Sequence, residues 1–301
     1  MRRQFCDAMV ERARDERVVF LTGDLGFMAL EPLRTAMGGR FLNAGVSEQN
    51  MVSVAAAMSR EGLESWVYSI APFCYARPFE QIRNDVCLHG LPVKLVGNGG
   101  GYGYGVMGPT HHAIEDYGVL LALPHMSAFV PVFDEDLPAV IARMGAVAGP
   151  AYLRLGRGEI PKGYAAPEYA PWRRLTAGKG TTVIAVGPLA GTLIAEFQGQ
   201  PEASRPNLWA LAEMPIERNA IPAQLLLEIE SGPGLCVVEE HVAQGSFGSQ
   251  LALVLAQRNV RCARFRHLCA RAHTFERYGS QEYLRRASGL GLDDVRRAMR
   301  D

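Results

Sequence analysis

No stretch of this chain is both long and apolar enough to span a bilayer. Its most hydrophobic run, residues 117–133, is broken by Pro124, His125 and Pro131. There is no charge excess either: 31 Lys and Arg balance 31 Asp and Glu, for a formal net charge of +0. That removes the electrostatic reason to expect nucleic acid or an anionic membrane as a partner. Cysteine is sparse. The six thiols, Cys6, Cys74, Cys87, Cys236, Cys262 and Cys269, include no Cys-x-x-Cys pair, and their spacing suits neither zinc nor a disulfide framework. Reduced thiols in a cytoplasmic protein are the expectation. The first residues lack an apolar targeting core, and Asp7, Glu11, Asp15 and Glu16 argue against a transit peptide. Internal repeats and low-complexity segments are absent.

What is present is ordinary globular material. Hydrophobic residues make up 48% of 301, enough for one large or two ordinary domains. Short apolar runs at 18–22, 65–70, 91–96, 126–132 and 151–155 read as strands. Between them lie helical patterns at 3–14 and 48–60, a stripe of Phe79, Ile82, Val86 and Cys87, a helix capped by Thr110 and running through Leu121, and one over 135–147 capped by Asp134. Strands alternating with helices predict a parallel sheet covered on both faces. A Gly- and Pro-rich break follows. Strands at 182–186, 207–211 and 235–239, a helix at 246–258 and a charged helical tail at 281–299 then predict a second unit. The expected fold class is α/β, with two doubly wound α/β domains at 1–160 and 179–301 joined by a linker at 161–178.

Three segments carry candidate chemistry. In the first, Asn43-Ala-Gly-Val-Ser-Glu-Gln-Asn-Met51, Glu48 opens a helix behind Ser47, a good N-cap residue. Met51, Val54, Ala55 and Met58 form its buried stripe. A first-turn glutamate also has a plain explanation, complementing the helix dipole. The second segment, residues 68–81, places Phe73 and Tyr75 at a strand's carboxyl end, where aromatic rings can form a platform for a heterocycle. In the third, a Gly-rich loop at 97–108 leads into Gly108-Pro-Thr-His-His112 and Glu115-Asp116. The formal G-x-G-x-x-G at 103–108 does not read as a dinucleotide fingerprint. Six residues (97–102) separate Val96 from Gly103, and no acidic residue ends a later strand at the required distance. Glycine's freedom to bring backbone close to a ligand, or a flexible lid, explains the loop better. Neighbouring histidines at His111 and His112 cannot share one face, so one is expected to point to a cleft and the other into the protein. Metal-ligand spacing is missing.

Taken in order, these segments resemble the pyrimidine-binding domain of the transketolase family of thiamine-diphosphate enzymes. The carriers are 43–51, Tyr68-Ser-Ile-Ala-Pro-Phe73 with Arg77-Pro-Phe-Glu-Gln81, and Gly108-Pro-Thr-His111. Residues 237–248, Val-Val-Glu-Glu-His-Val-Ala-Gln-Gly-Ser-Phe-Gly, are similar to the family's C-terminal domain. The resemblance implies that Glu48 hydrogen-bonds the cofactor's aminopyrimidine and favours the tautomer that takes the thiazolium proton. It also implies that Phe73 packs on the pyrimidine, with Tyr75 and Arg77 bordering the pocket. His111 then faces the substrate and stabilises developing oxyanion charge, with His112 beside it as a second substrate-binding candidate.

The family's diphosphate-binding signature, Gly-Asp-Gly followed by Asn, has no counterpart: Leu25 follows Gly23-Asp24. The resemblance therefore implies the C-terminal subunit of a split transketolase. A separate N-terminal subunit would hold the diphosphate and most contacts to Mg2+ or Ca2+, in an α2β2 heterotetramer acting on small sugars. Met107 stands where sugar-phosphate transketolases carry Asp, and Val130 precedes Pro131 where they carry a phosphate-binding Arg. Neither side chain can replace those contacts, which points to a specialised, unphosphorylated acceptor. The alternatives are a decarboxylating relative, like the β chain of 2-oxo-acid dehydrogenases or deoxyxylulose-phosphate synthase, a silent scaffold, and a nicotinamide-binding enzyme.

Overall fold

The computed structural model describes residues 1–273 and 275–300. The first half runs α1 (Arg2–Arg12), β1 (Val18–Thr22), α2 (Glu31–Met37), β2 (Phe41–Asn43), α3 (Glu48–Arg60), β3 (Glu64–Ile70), α4 (Ala71–Tyr75), α5 (Phe79–Gln81), β4 (Lys94–Asn98), α6 (Asp116–Leu121), β5 (Ser127–Phe129), α7 (Leu137–Ala146) and β6 (Ala151–Leu155). The second runs β7 (Trp172–Thr176), β8 (Thr182–Val186), α8 (Leu189–Gln198), β9 (Asn207–Leu211), β10 (Glu213–Met214), α9 (Ala223–Ser231), β11 (Leu235–Val238), α10 (Phe247–Gln257), β12 (Phe265–Leu268), α11 (Gln281–Ala287) and α12 (Leu292–Arg300).

Two sheets result, ordered β10-β5-β6-β4-β3-β1-β2 and β12-β11-β8-β9-β7. All pairings among β1–β6 are parallel, so the expected α/β class holds. The central strands β1 and β6 are buried along their whole length because helices cover both faces, and β6 carries one charged residue, Arg154. One face of the first sheet packs on α1, α2 and α7. The core on its other face continues into the second sheet through Ile184, Trp209 and Val237. The β10 strand crosses from the second half and pairs antiparallel with β5, covering that sheet edge. The Pro- and Gly-rich segment carries β7, antiparallel on the edge of the second sheet. Short edge strands such as β2 and β10 are too brief for a period-2 pattern to reveal. Among the described residues no helix is long and apolar enough to cross a membrane.

Local departures from expectation have physical causes. Instead of one helix from Thr110, a 3-10 turn at Pro109–His111 is followed by α6 only from Asp116. Ala113 pairs with Gly101 in an antiparallel bridge, and that pulls residues 112–113 out of any helix. The stripe from Phe79 continues as a π-helical stretch, Ile82–Cys87. The tail is two helices rather than one, broken around Gly289, whose φ is +79°.

Candidate active site

The site lies at the carboxyl ends of β1, β3 and β4, the edge where open α/β sheets bind ligands. Glu48 is the first residue of α3 and is only 3% exposed. Ser47 occupies the N-cap position, but its hydroxyl makes no capping bond. Met51, Val52, Ala55, Ala56 and Ser59 are the buried stripe, with Val54 and Met58 partly buried beside it. This packing, rather than a cap, anchors the helix. One Glu48 carboxylate oxygen accepts the Ser69 hydroxyl at 3.1 Å, from the end of β3. The other accepts Arg77 Nη1 at 3.0 Å. A Cβ on Gly23 would sit 3.3 Å from the Gly45 carbonyl oxygen and 3.8 Å from Glu48 Oε1, so glycine keeps the carboxylate's approach open.

The Arg77 guanidinium also stacks on the half-buried Phe73 ring, 4.0 Å above its centroid. It thus covers both surfaces that a planar, hydrogen-bonding heterocycle would use, a carboxylate and an aromatic face. The His111 ring meets the Phe73 ring edge-on at 5.2 Å, and its Nδ1 lies 2.9 Å from the Thr110 hydroxyl. Glu48, Phe73, Arg77 and His111 are therefore brought together. Cys74 lies beneath them, fully enclosed. Burial, aided by the Glu48 charge, pushes its thiol up to about 12, so it stays protonated and inert.

Tyr75 lies one step away. Its hydroxyl donates to Glu115 at 3.3 Å, and the other oxygen of that carboxylate is bonded by His273 from the second half of the chain. Burial opposes ionisation of Glu115, but the bonds from His273 and Tyr75 outweigh it and hold the carboxyl below its ordinary value. His112 turns away from His111 into the protein. It is 3% exposed, stacked on His273 at 5.9 Å and edge-on to Tyr102 at 5.2 Å. Neither of its ring nitrogens has a well-formed hydrogen bond among the described residues.

Burial pushes the His112 imidazole below its ordinary value, against the favourable Gly105 carbonyl nearby. A folded-state value below 6.5 means the unfolded chain takes the proton first, so stability falls as pH drops through that value. The His112→Phe variant is expected to lose this part of the acid sensitivity. Identical Tm-versus-pH slopes for variant and wild type between about pH 7.5 and pH 5 would reject the assignment.

A cavity of about 830 Å³ adjoins the Gly-rich loop; Asn98 and Tyr104 line it together with Arg2, Arg3 and Arg157 and with the carboxylates of Asp7, Glu31, Asp134 and Glu159. Those three guanidinium groups form no ion pair among the described residues. The Tyr104 ring also reaches the His111 ring, 6.3 Å away. Val130, by contrast, is 2% exposed and packs under Gly187, so its side chain belongs to the core. Sequence reasoning missed Arg2, Arg3, Ser69, Tyr104 and His273 as neighbours of the site. Ser69 lies on β3 within a segment that carries the resemblance, and the others show only charge or polarity at a helix start or loop, too common to single them out. Among the described residues no three His, Cys, Asp or Glu side chains are grouped to hold a metal ion.

Comparison with known proteins adds to this geometry. Residues 2–162 match the family described as transketolase, pyrimidine binding domain. The chain is 27% identical over 271 residues to one subunit of the apulose-4-phosphate transketolase of Phocaeicola vulgatus, covering 86% of this chain and 84% of that one. It is 30% identical over 300 residues to the 1-deoxy-D-xylulose-5-phosphate synthase of Nitratidesulfovibrio vulgaris, but spans only 45% of that protein. Among solved structures, an inactive β4 tetramer of a split gene transketolase superposes with a TM-score of 0.81 at 27% identity, over 99% of this chain and 95% of that one.

Proposed function

This chain belongs to the transketolase family, and from that premise we propose that it is the pyrimidine-binding subunit of a two-component, thiamine-diphosphate-dependent transketolase. It transfers a two-carbon ketol unit from a ketose to an aldose, in the cytoplasm. The observation that carries this reading is the buried Glu48 carboxylate set beside the Phe73 face. Those groups fit an aminopyrimidine: a carboxyl to hydrogen-bond its ring nitrogen, an aromatic face to stack on it, and an open approach at Gly23. When bound, the cofactor supplies the nucleophilic thiazolium carbon. Glu48 holds or releases the proton at the pyrimidine nitrogen, and Arg77 leaves its carboxylate for the ring to seat. Thr110 engages His111 Nδ1, leaving Nε2 to hydrogen-bond a substrate oxygen where negative charge develops. A separate subunit supplies the diphosphate contacts and the Mg2+ or Ca2+ site, in an α2β2 assembly.

The match along 84% of a protein named as a transketolase subunit supports this reading over the decarboxylating one. Reconstitution with a chain carrying Gly-Asp-Gly…Asn should yield ketol transfer. Pyruvate consumption with carbon dioxide release instead would reverse the assignment.

The cavity beside Tyr104 offers a second reading of the substrate, beside the unphosphorylated acceptor drawn from Met107 and Val130. Arg2, Arg3 and Arg157, which form no ion pair among the described residues, can each take a phosphate oxygen, against the opposing charge of Asp7, Glu31, Asp134 and Glu159 in the same lining. The phosphorylated form of an accepted aldose is expected to show a KM at least about tenfold below that of its unphosphorylated counterpart, the equivalent of one charge-assisted contact. Equal KM values would return the choice to an unphosphorylated acceptor.

A further inference from the structure

The Gly-rich loop is closed on itself and clamped from the second half of the chain. Gly101 and Ala113 exchange two backbone hydrogen bonds, at 2.9 and 2.8 Å, so residues 101–113 form one loop whose ends meet. Tyr104 and His111 ride on it. One end of the loop is fastened to the side chain of Glu240, which follows β11 and is 6% exposed, and the other to Arg154, which bridges to the Glu240 main chain. Its carboxylate accepts the Tyr102 backbone N–H at 2.5 Å. Its main-chain carbonyl accepts Arg154 Nη2 at 2.8 Å, and the same nitrogen donates to the Ala113 carbonyl, also at 2.8 Å. Gln281 and Arg285 hold the Glu240 carboxylate from α11, Arg285 Nε at 2.7 Å. The fit leaves no slack. A Cβ on Gly101, whose φ is +62°, would lie 2.6 Å from Glu240 Oε1.

We infer that Glu240 is a positioning residue for the reaction: it fixes the 101–113 loop, and through it places His111 against Phe73. The inference rests on the transketolase reading for its kinetic arm only. A buried, multiply bonded carboxylate that spans 138 residues to reach one loop amide is a device for orientation rather than for solubility or local helix stability. Small displacements of a group that meets the substrate cost turnover more than binding.

The experiment compares Glu240→Leu with Glu240→Gln in the complex reconstituted with the diphosphate-binding partner. Glutamine keeps an acceptor for the Tyr102 N–H; leucine does not. Glu240→Leu is expected to lower kcat about 100-fold with KM changed less than about threefold, whereas Glu240→Gln stays within about tenfold of wild type. Equal losses in the two variants, or an unchanged kcat in Glu240→Leu, would overturn the inference. Hydrogen exchange on this chain alone supplies a second reading, independent of any activity. Should Glu240→Leu not fold, Arg285→Ala, which removes the ion pair holding the Glu240 carboxylate, carries it: amides 101–113 exchange faster than in wild type while those of α3 stay protected, and unchanged loop exchange rejects the clamp. A wild-type complex that transfers no ketol unit would refute the function and leave the exchange result standing.

Discussion

Turnover by the assembled enzyme is expected to fall by about 10³-fold when Glu48 is replaced by alanine or glutamine, the scale of losing a positioned proton-transfer group. The fold should survive the change. Glu48 is the first residue of α3, where a negative charge complements the helix dipole, and its ion-pair partner Arg77 is 47% exposed. Solvent screens that pair, so about 1 kcal/mol or less of stability rides on it. The α3 stripe around Met51, Val52 and Ala55 is untouched by the substitution. Glutamine keeps the shape and can still accept the Ser69 hydroxyl, but it cannot take up and release a proton. The decisive measurement is single-turnover ketol transfer alongside the native mass of the complex. Near-normal turnover by an intact Glu48→Ala complex would sink the mechanism and favour the scaffold reading.

The largest expected effect on stability lies behind the site, at Asp116. This carboxylate is fully buried. It receives the Tyr152 hydroxyl at 2.7 Å and faces Arg154 Nε at 3.2 Å. Arg154 is 6% exposed and joins the first sheet to the Glu240 segment. Removing Asp116 strands a guanidinium where water cannot solvate it. Asp116→Ala is therefore expected to cost about 3–5 kcal/mol, lowering the Tm by about 5–8 °C for a chain of this size. Breaking one partner is what costs. Adding Arg154→Met to Asp116→Leu should recover part of the loss, because an apolar pair no longer has charge to solvate. Thermal unfolding of the chain alone tests both statements. An Asp116→Ala midpoint equal to wild type would show that the pair contributes nothing.

Much of the fold was legible because it is locally encoded. The α3 helix appears at Glu48–Arg60 as its 3.6-residue periodicity predicts, and β1, β6, β8 and β9 coincide with short, predominantly apolar runs. Where expectation failed, a distant contact had overruled local preference. Thr110 starts no helix because Ala113 is committed to Gly101. The β7 strand hid within a Pro- and Gly-rich segment because its partner, β9, lies more than 30 residues on. Arg2, Arg3 and Arg157 come to line one cavity, together with Asp7, Glu31, Asp134 and Glu159, only in three dimensions.

The sequence by itself determined the two α/β units, the helix that Glu48 opens, and the order of the three segments that resemble a thiamine-diphosphate site. Periodicity, capping residues and ordered motifs are properties of neighbours along the chain. Only the tertiary structure decided what each candidate side chain touches. Arg77 covers both Glu48 and Phe73, His112 points away from His111, and His273 reaches Glu115 across 158 residues. The same holds for Glu240, which grips a loop on the other sheet. Such contacts follow from which strand ends the crossovers bring side by side, and no local spacing records that.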